Sequence, residues 1–133
     1  MDKEGLIKRA YLIAKEKKHN RECISGQVGC ALVTDKENVY YGISIDCSCG
    51  IGFCAEHSAI ASMVSNGEDK IKEIVAVDAK GNILPPCGRC RELMLQVNLK
   101  NIDTDVIINK NKIIKLSTLM PYKWQDVQRW DTN

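Results

Sequence analysis

Two hydrophobic periods alternate along the chain, and the switches between them mark out its elements. Leu6, Ile7, Ala10, Ile13 and Ala14 recur at helical spacing among charged side chains, which predicts an amphipathic helix over residues 3 to about 17. A helix with one apolar face needs a layer to cover, and the next segments supply a sheet. Val28 to Thr34 and Val39 to Ile45 have strand composition and are separated by the turn sequence Asp35-Lys36-Glu37-Asn38, so they read as two antiparallel strands. Ala55 to Val64 returns to helical spacing and stops at Asn66-Gly67, where glycine suits a helix C-terminus. Ile71 to Val77 is a nearly unbroken apolar run, the pattern of a buried strand. Cys87 opens a second core helix that continues through Leu93, Met94, Leu95 and Val97. Asp105 to Ile108 and Ile113 to Leu116 are the last two strands, joined only by Asn109-Lys110-Asn111-Lys112. A link that short cannot make the crossover of a parallel pair, so these strands should be antiparallel neighbours.

No linker, repeat or low-complexity tract interrupts this order, and a single α/β domain over residues 1–133 is expected. With 44% hydrophobic and 27% charged residues, the chain is long enough to bury a core. Its formal charge of +2, with lysines scattered rather than massed, argues against a polynucleotide footprint. Met1-Asp2-Lys3-Glu4 is acidic where a signal peptide would be basic and then apolar, and no run reaches membrane-spanning length. A cytoplasmic protein without membrane partners is the expectation. Seven cysteines, an odd number with two clusters at ligand-like spacing, make a secreted disulfide framework a poor reading.

Those clusters carry the chemistry. Cys54-Ala55-Glu56 is followed by Pro86-Cys87-Gly88-Arg89-Cys90, which offers three thiolates and one carboxylate. Three protein ligands leave one tetrahedral position of Zn²⁺ for water, whereas a structural site is closed by a fourth. Cys54 and Cys87 stand at predicted helix starts, where unpaired N–H groups and the positive dipole end favour thiolate. Three thiolates leave the metal site at formal charge −1, and Arg89, between two ligands, is the nearest group to offset it by hydrogen bonding to the sulfurs. Arg91, just beyond, is the second candidate for that role; a solvated helix residue is the other reading of either arginine, and the stronger one at Arg91. Other readings of the clusters are a redox Cys-x-x-Cys or part of a closed structural zinc site. Glu56 alone could merely complement a helix dipole. His57 is left out of the ligand set, His19 reads as a charge at a helix C-terminus, and Trp124 and Trp130 as core or interface groups. Cys23, Cys30, Cys47 and Cys49 read as ordinary reduced cysteines, the latter two close enough to line the site.

Taken with Gln27-Val28-Gly29-Cys30-Ala31-Leu32, the two clusters resemble the cytidine deaminase family, and Met120-Pro121-Tyr122-Lys123-Trp124 is similar to its blasticidin-S deaminase branch. The resemblance implies a three-layer α-β-α fold with a mixed five-stranded sheet, its last two strands antiparallel as in the free-nucleoside members. It also implies Zn²⁺ held by Cys54, Cys87 and Cys90, and Glu56 shuttling protons from the attacking water to N3 and the leaving amine. The substrate is then a small cytosine nucleoside, the ring O2 is held by N–H groups where Ala55 begins its helix, and the assembly is a homotetramer.

This chain departs from the family pattern where the substrate would lie. Gly26-Gln27 replaces a Phe-Pro step whose aromatic ring lies against the pyrimidine, and Ser44-Ile45-Asp46 replaces the Asn-x-Glu pair that reads ribose hydroxyls. The loop after it, Cys47 to Gly52, is one residue shorter, and His57 stands where three-cysteine members often carry arginine. Ser44, Asp46, Tyr122 and Trp124 are the candidates for the sugar-side wall. Cytidine or deoxycytidine is the first reading and a cytosine nucleoside antibiotic such as blasticidin S the alternative. A polynucleotide-editing deaminase and a non-catalytic zinc-stabilised binding protein are readings from other classes.

Overall fold

The computed structural model describes residues 1–127, and Trp130 lies outside them. Helix α1 (Lys3–Ile13) starts at Asp2, whose carboxylate accepts a hydrogen bond of 2.8 Å from the N–H of Gly5. Strands β1 (Lys17–Asn20), β2 (Cys23–Thr34) and β3 (Val39–Cys47) follow, then α2 (Ala55–Ser65), β4 (Ile71–Asp78), β5 (Ile83–Leu84) and α3 (Gly88–Val97). Strands β6 (Asp105–Asn109) and β7 (Lys112–Lys115) and the single turn α4 (Leu116–Leu119) complete the order, apart from short 3₁₀ turns.

Five strands form the frame in the order β3-β2-β4-β6-β7, and the short β1 and β5 add to β2 and β4. Every pairing is antiparallel except β4 with β6, which are joined through α3 as a crossover requires. The predicted antiparallel end of the sheet is present, with Val106 opposite Ile114.

Alternation along the strands builds two cores. On one face Cys30, Leu32, Ile74 and Val106 pack with Ala59, Ile60 and Met63 of α2 and Met94 of α3. On the other, Ala31, Val33, Val75, Val77 and Ile107 pack with Leu6 and Ala10 of α1. The layers are therefore α1, sheet, and α2 with α3. Truncating a fully buried side chain such as Met63 to alanine should cost about 2–5 kcal/mol. Gly42 lets α2 sit down on β3, since a Cβ there would lie 2.2 Å from the N of Ala59. Asn101, also buried, ties the layers together: its Oδ1 accepts from the N–H of Ile71, and its Nδ2 donates to the carbonyls of Asp69 and Met94. Every polar atom of that amide side chain is thereby satisfied away from water.

Two expectations need correction. The first helix ends at Ile13 rather than near residue 17, because Lys15 to Asn20 have no apolar stripe to hold against the sheet, and Lys17 to Asn20 pair instead as an exposed edge strand. His19 is accordingly no helix terminus charge; its Nε2 shares a hydrogen bond of 2.8 Å with Ser25 Oγ across β1 and β2.

Candidate active site

Two helix starts bring the three predicted ligands together. Cys54 is the N-cap residue of α2, Cys87 is the N-cap of α3, and Cys90 lies in the first turn of α3, fully buried. Their sulfurs all lie within 4.8 Å of one another, and those of Cys54 and Cys87 are 3.5 Å apart. Tetrahedral ligation with Zn–S bonds near 2.3 Å requires sulfurs roughly 3.8 Å apart, a spacing this set brackets. His57 is not part of the cluster; its ring lies 6.1 Å from that of Phe53, centroid to centroid, and its buried Nδ1 has no partner among the described residues.

The electrostatics of the site call for a cation. Burial raises the Cys54 thiol, and its hydrogen bond with Cys87 adds to that. Cys90 is pushed far above the thiol range, first by burial and then by the charges of Glu56 and the other two cysteines. Burial opposes ionisation at Cys87 too, but the N–H groups of Cys90 and Arg89, with the neighbouring thiols, hold its pKa below the usual value. Three sulfurs beside a carboxylate cannot all ionise on their own, and a bound divalent cation is what reverses that.

Glu56 sits in the first turn of α2, only 5% exposed. Burial pushes its carboxyl above the ordinary carboxylate range, against its own backbone N–H and the Cys90 thiol, which pull the other way. No side chain caps α2, so the N–H groups of its first turn, beginning at Ala55, have no helical partner.

A cavity of about 380 Å³ opens over this arrangement. Its metal side is lined by Cys54, Ala55, Glu56, Cys87 and Arg89. The opposite side comes from Gln27 and Val28 of β2, Ser44, Asp46 and Cys47 of β3, and Gly50, Gly52 and Phe53 of the loop that follows. Ala76 of β4 and Leu84-Pro85 also reach the cavity. The β2 segment reaches it because the strand bulges between Ser25 and Gly29. Gly26 has φ +81° there, and a Cβ on it would lie 2.0 Å from the carbonyl oxygen of Lys15. Ser44 stitches the bulge by accepting a hydrogen bond of 3.0 Å from the N–H of Val28. Its hydroxyl proton is still free to donate.

The predicted site residues divide at this point. Cys54, Ala55, Glu56, Cys87, Arg89, Ser44 and Asp46 line one cavity, with Cys90 buried behind it. Tyr122 and Trp124 are not among its lining residues. Tyr122 is 95% exposed, and the Trp124 indole N–H donates to Glu92 of α3 at 3.0 Å. Arg91, expected to be solvated, donates from Nε to the carbonyl of Pro86 at 2.8 Å and from Nη1 to that of Leu119 at 3.3 Å. It fixes the approach to α3 rather than touching a sulfur. Phe53 was missed, although its place immediately before Cys54 is a signal: it puts the one phenylalanine of the chain into the cavity, in a molecule whose Gly26-Gln27 step lacks the expected aromatic. Leu84 and Pro85 had no sequence signal beyond lying just ahead of Pro86-Cys87.

Comparison with known proteins agrees with this geometry. A family model for the cytidine and deoxycytidylate deaminase zinc-binding region matches residues 1–104, and the chain belongs to that family. Cytidine deaminase of Mycobacterium tuberculosis is 34% identical over 70 residues, which cover 52% of this chain. The match takes in 53% of that protein, so the chain spans about half the length of the first curated relatives it matches. Blasticidin-S deaminase of Bacillus cereus is 31% identical over 133 residues, covering 91% of this chain and 88% of that one. Among solved structures, a mutant cytidine deaminase from Mycobacterium tuberculosis superposes with TM-score 0.76 at 26% identity, over 91% of this chain and 96% of that one.

Proposed function

We propose that the protein is a zinc-dependent aminohydrolase that replaces the C4 amine of a free cytosine nucleoside with oxygen, releasing ammonia and the uracil nucleoside. The observation that carries this reading is the buried Glu56 carboxylate beside three convergent thiols, at the wall of a cavity of about 380 Å³. Zn²⁺ held by Cys54, Cys87 and Cys90 would supply the charge that lowers the pKa of a water and prepares it for attack. Glu56 takes a proton from that water as its oxygen adds to C4, and gives the proton to N3. Glu56 then carries the second proton to the amino group, and the C4–N bond breaks to leave ammonia. The Ala55 N–H group, at the start of α2 and in the cavity lining, would hold the ring O2. Phe53 offers the apolar face for the ring, and Ser44 and Asp46 offer hydrogen bonds to sugar hydroxyls.

The charge of the cavity favours a nucleoside over a nucleotide. Glu56 and Asp46 face a single guanidinium, Arg89, which leaves no surplus positive charge for a phosphate. Blasticidin S is the second reading, supported by the likeness to the Bacillus cereus deaminase along 91% of the chain and by the missing aromatic before Val28. Assembly as a homotetramer belongs to the same proposal and is read by sedimentation. Rates with cytidine, deoxycytidine, free cytosine and blasticidin S, followed by loss of ultraviolet absorbance and release of ammonia, test the function. A zinc-loaded protein that releases no ammonia from any of them would overturn it.

A further inference from the structure

The sulfurs of Cys23 and Cys47 lie 3.6 Å apart, with the Cys47 thiol donating to Cys23. The two residues stand directly opposite each other at the end of the antiparallel β2–β3 ladder. Both are partly exposed, both are free thiols, and neither is a member of the cluster that fits zinc. Directly opposed antiparallel residues have Cα atoms about 4.5–5.5 Å apart, inside the range a disulfide bridges. The sulfurs would need only to close to about 2.05 Å. Cys47 also lines the cavity, two residues ahead of the exposed Cys49 and next to Asp46.

We propose that Cys23 and Cys47 form a redox-modifiable dithiol, closed reversibly to a disulfide by low-molecular-weight disulfides of the glutathione class, and that closure resets the sugar-side wall of the cavity. Cys23 gives its own proton to solvent and, as a thiolate accepting the Cys47 S–H, attacks one sulfur of oxidised glutathione, breaking the S–S bond and expelling one glutathione thiolate, which takes up a proton from solvent. Cys47 then loses its proton to solvent and attacks the Cys23 sulfur, expelling the second. Two protein thiols are oxidised and one small disulfide is reduced to two thiols. The new bond draws Cys47 toward β2 and away from the cavity. It also stiffens the chain ahead of the loop at Gly50 to Phe53, which is pinned nearby by the pair of backbone hydrogen bonds between Ile45 and Phe53. The effect on the cavity rests on the nucleoside reading; formation of the bond does not.

The test uses the zinc-loaded full chain, incubated at graded ratios of oxidised to reduced glutathione, quenched with an alkylating agent and mapped by tandem mass spectrometry. The thiol count in denaturant should fall by two from seven while zinc per chain is unchanged, with Cys23 linked to Cys47 and the link undone by dithiothreitol. Cys23→Ser and Cys47→Ser should each abolish the link and leave a glutathione adduct on the remaining partner. Adducts confined to Cys49, or links among the zinc-binding cysteines while Cys23 and Cys47 stay alkylated, would overturn the dithiol, whatever the substrate is. If the link forms but KM and kcat for every cytosine nucleoside turned over stay as in the reduced enzyme, the effect on the cavity is overturned. A shifted KM with kcat nearly unchanged supports it.

Discussion

The two walls of the cavity are held in different ways. On the metal side, Cys54 and Cys87 cap the starts of α2 and α3 and Glu56 and Cys90 sit in their first turns, on elements pressed into the core by Ala59, Ile60 and Met94. On the sugar side, Gln27, Asp46, Cys47 and Phe53 come from a bulge, a strand end and a loop, and Asp46 is exposed. The chemistry proposed for the first wall tolerates little displacement, and its groups ride on rigid elements. In the proposed function the second would read the variable part of a substrate, and it is built where sequence can change without disturbing the core. Two of the departures from the family pattern, at Gly26-Gln27 and Ser44-Ile45-Asp46, fall on this second wall, whereas His57 follows Glu56 on α2.

Mutations can break or sharpen that contrast. The largest effect is expected from Cys87→Ala, which should remove most of the zinc and with it the activity, because two thiolates no longer complete an open site. Metal analysis of the purified variant checks it, and full zinc content would mean that another residue serves as ligand. Glu56→Gln keeps shape and hydrogen bonding while removing the proton carrier. Turnover should fall by about 10²–10⁴-fold or more with zinc retained, and steady-state rates within a few-fold of wild type would dissolve the proposed role.

On the opposite wall the effects should appear in KM. Phe53→Ala should raise KM about ten-fold, on the scale of one base stacked on one aromatic ring, and leave zinc content intact. A fall in kcat with unchanged KM would place Phe53 with the catalytic wall instead. The smallest change is expected from Trp124→Ala, within about two-fold in KM, since within one chain the indole bonds Glu92 and does not line the cavity. A ten-fold rise in KM with the oligomer intact would return Trp124 to the pocket. Dissociation of the oligomer alone would assign it to an interface.

Much of this was legible before the fold was known. Amphipathic spacing located α1, α2 and α3, and a four-residue link was enough to make the last strands antiparallel. What was not legible involved segments whose local pattern is ambiguous. Lys17 to Asn20 is polar throughout, so only the unpaired edge of β2 beside it decides that it becomes a strand. Arg91 has the spacing of a solvated helix residue, and only the carbonyls of Pro86 and Leu119 give it a role.

The sequence by itself placed Glu56 beside Cys54 and Cys90 beside Cys87, because residues two or three apart at a helix start have fixed relative positions whatever surrounds them; bringing the two pairs together took the packing of α2 against α3. Tertiary structure decided everything that depends on register. The bulge at Gly26 to Val28 and the facing of Cys23 and Cys47 follow from which strand pairs where, and the entry of Phe53 and Leu84 into the cavity and the absence of Tyr122 and Trp124 from its lining follow from how the connecting segments lie against the sheet and helices. A slip of one residue along β2 or β3 would turn the paired side chains to the opposite face, a choice made by pairing between strands distant in the chain.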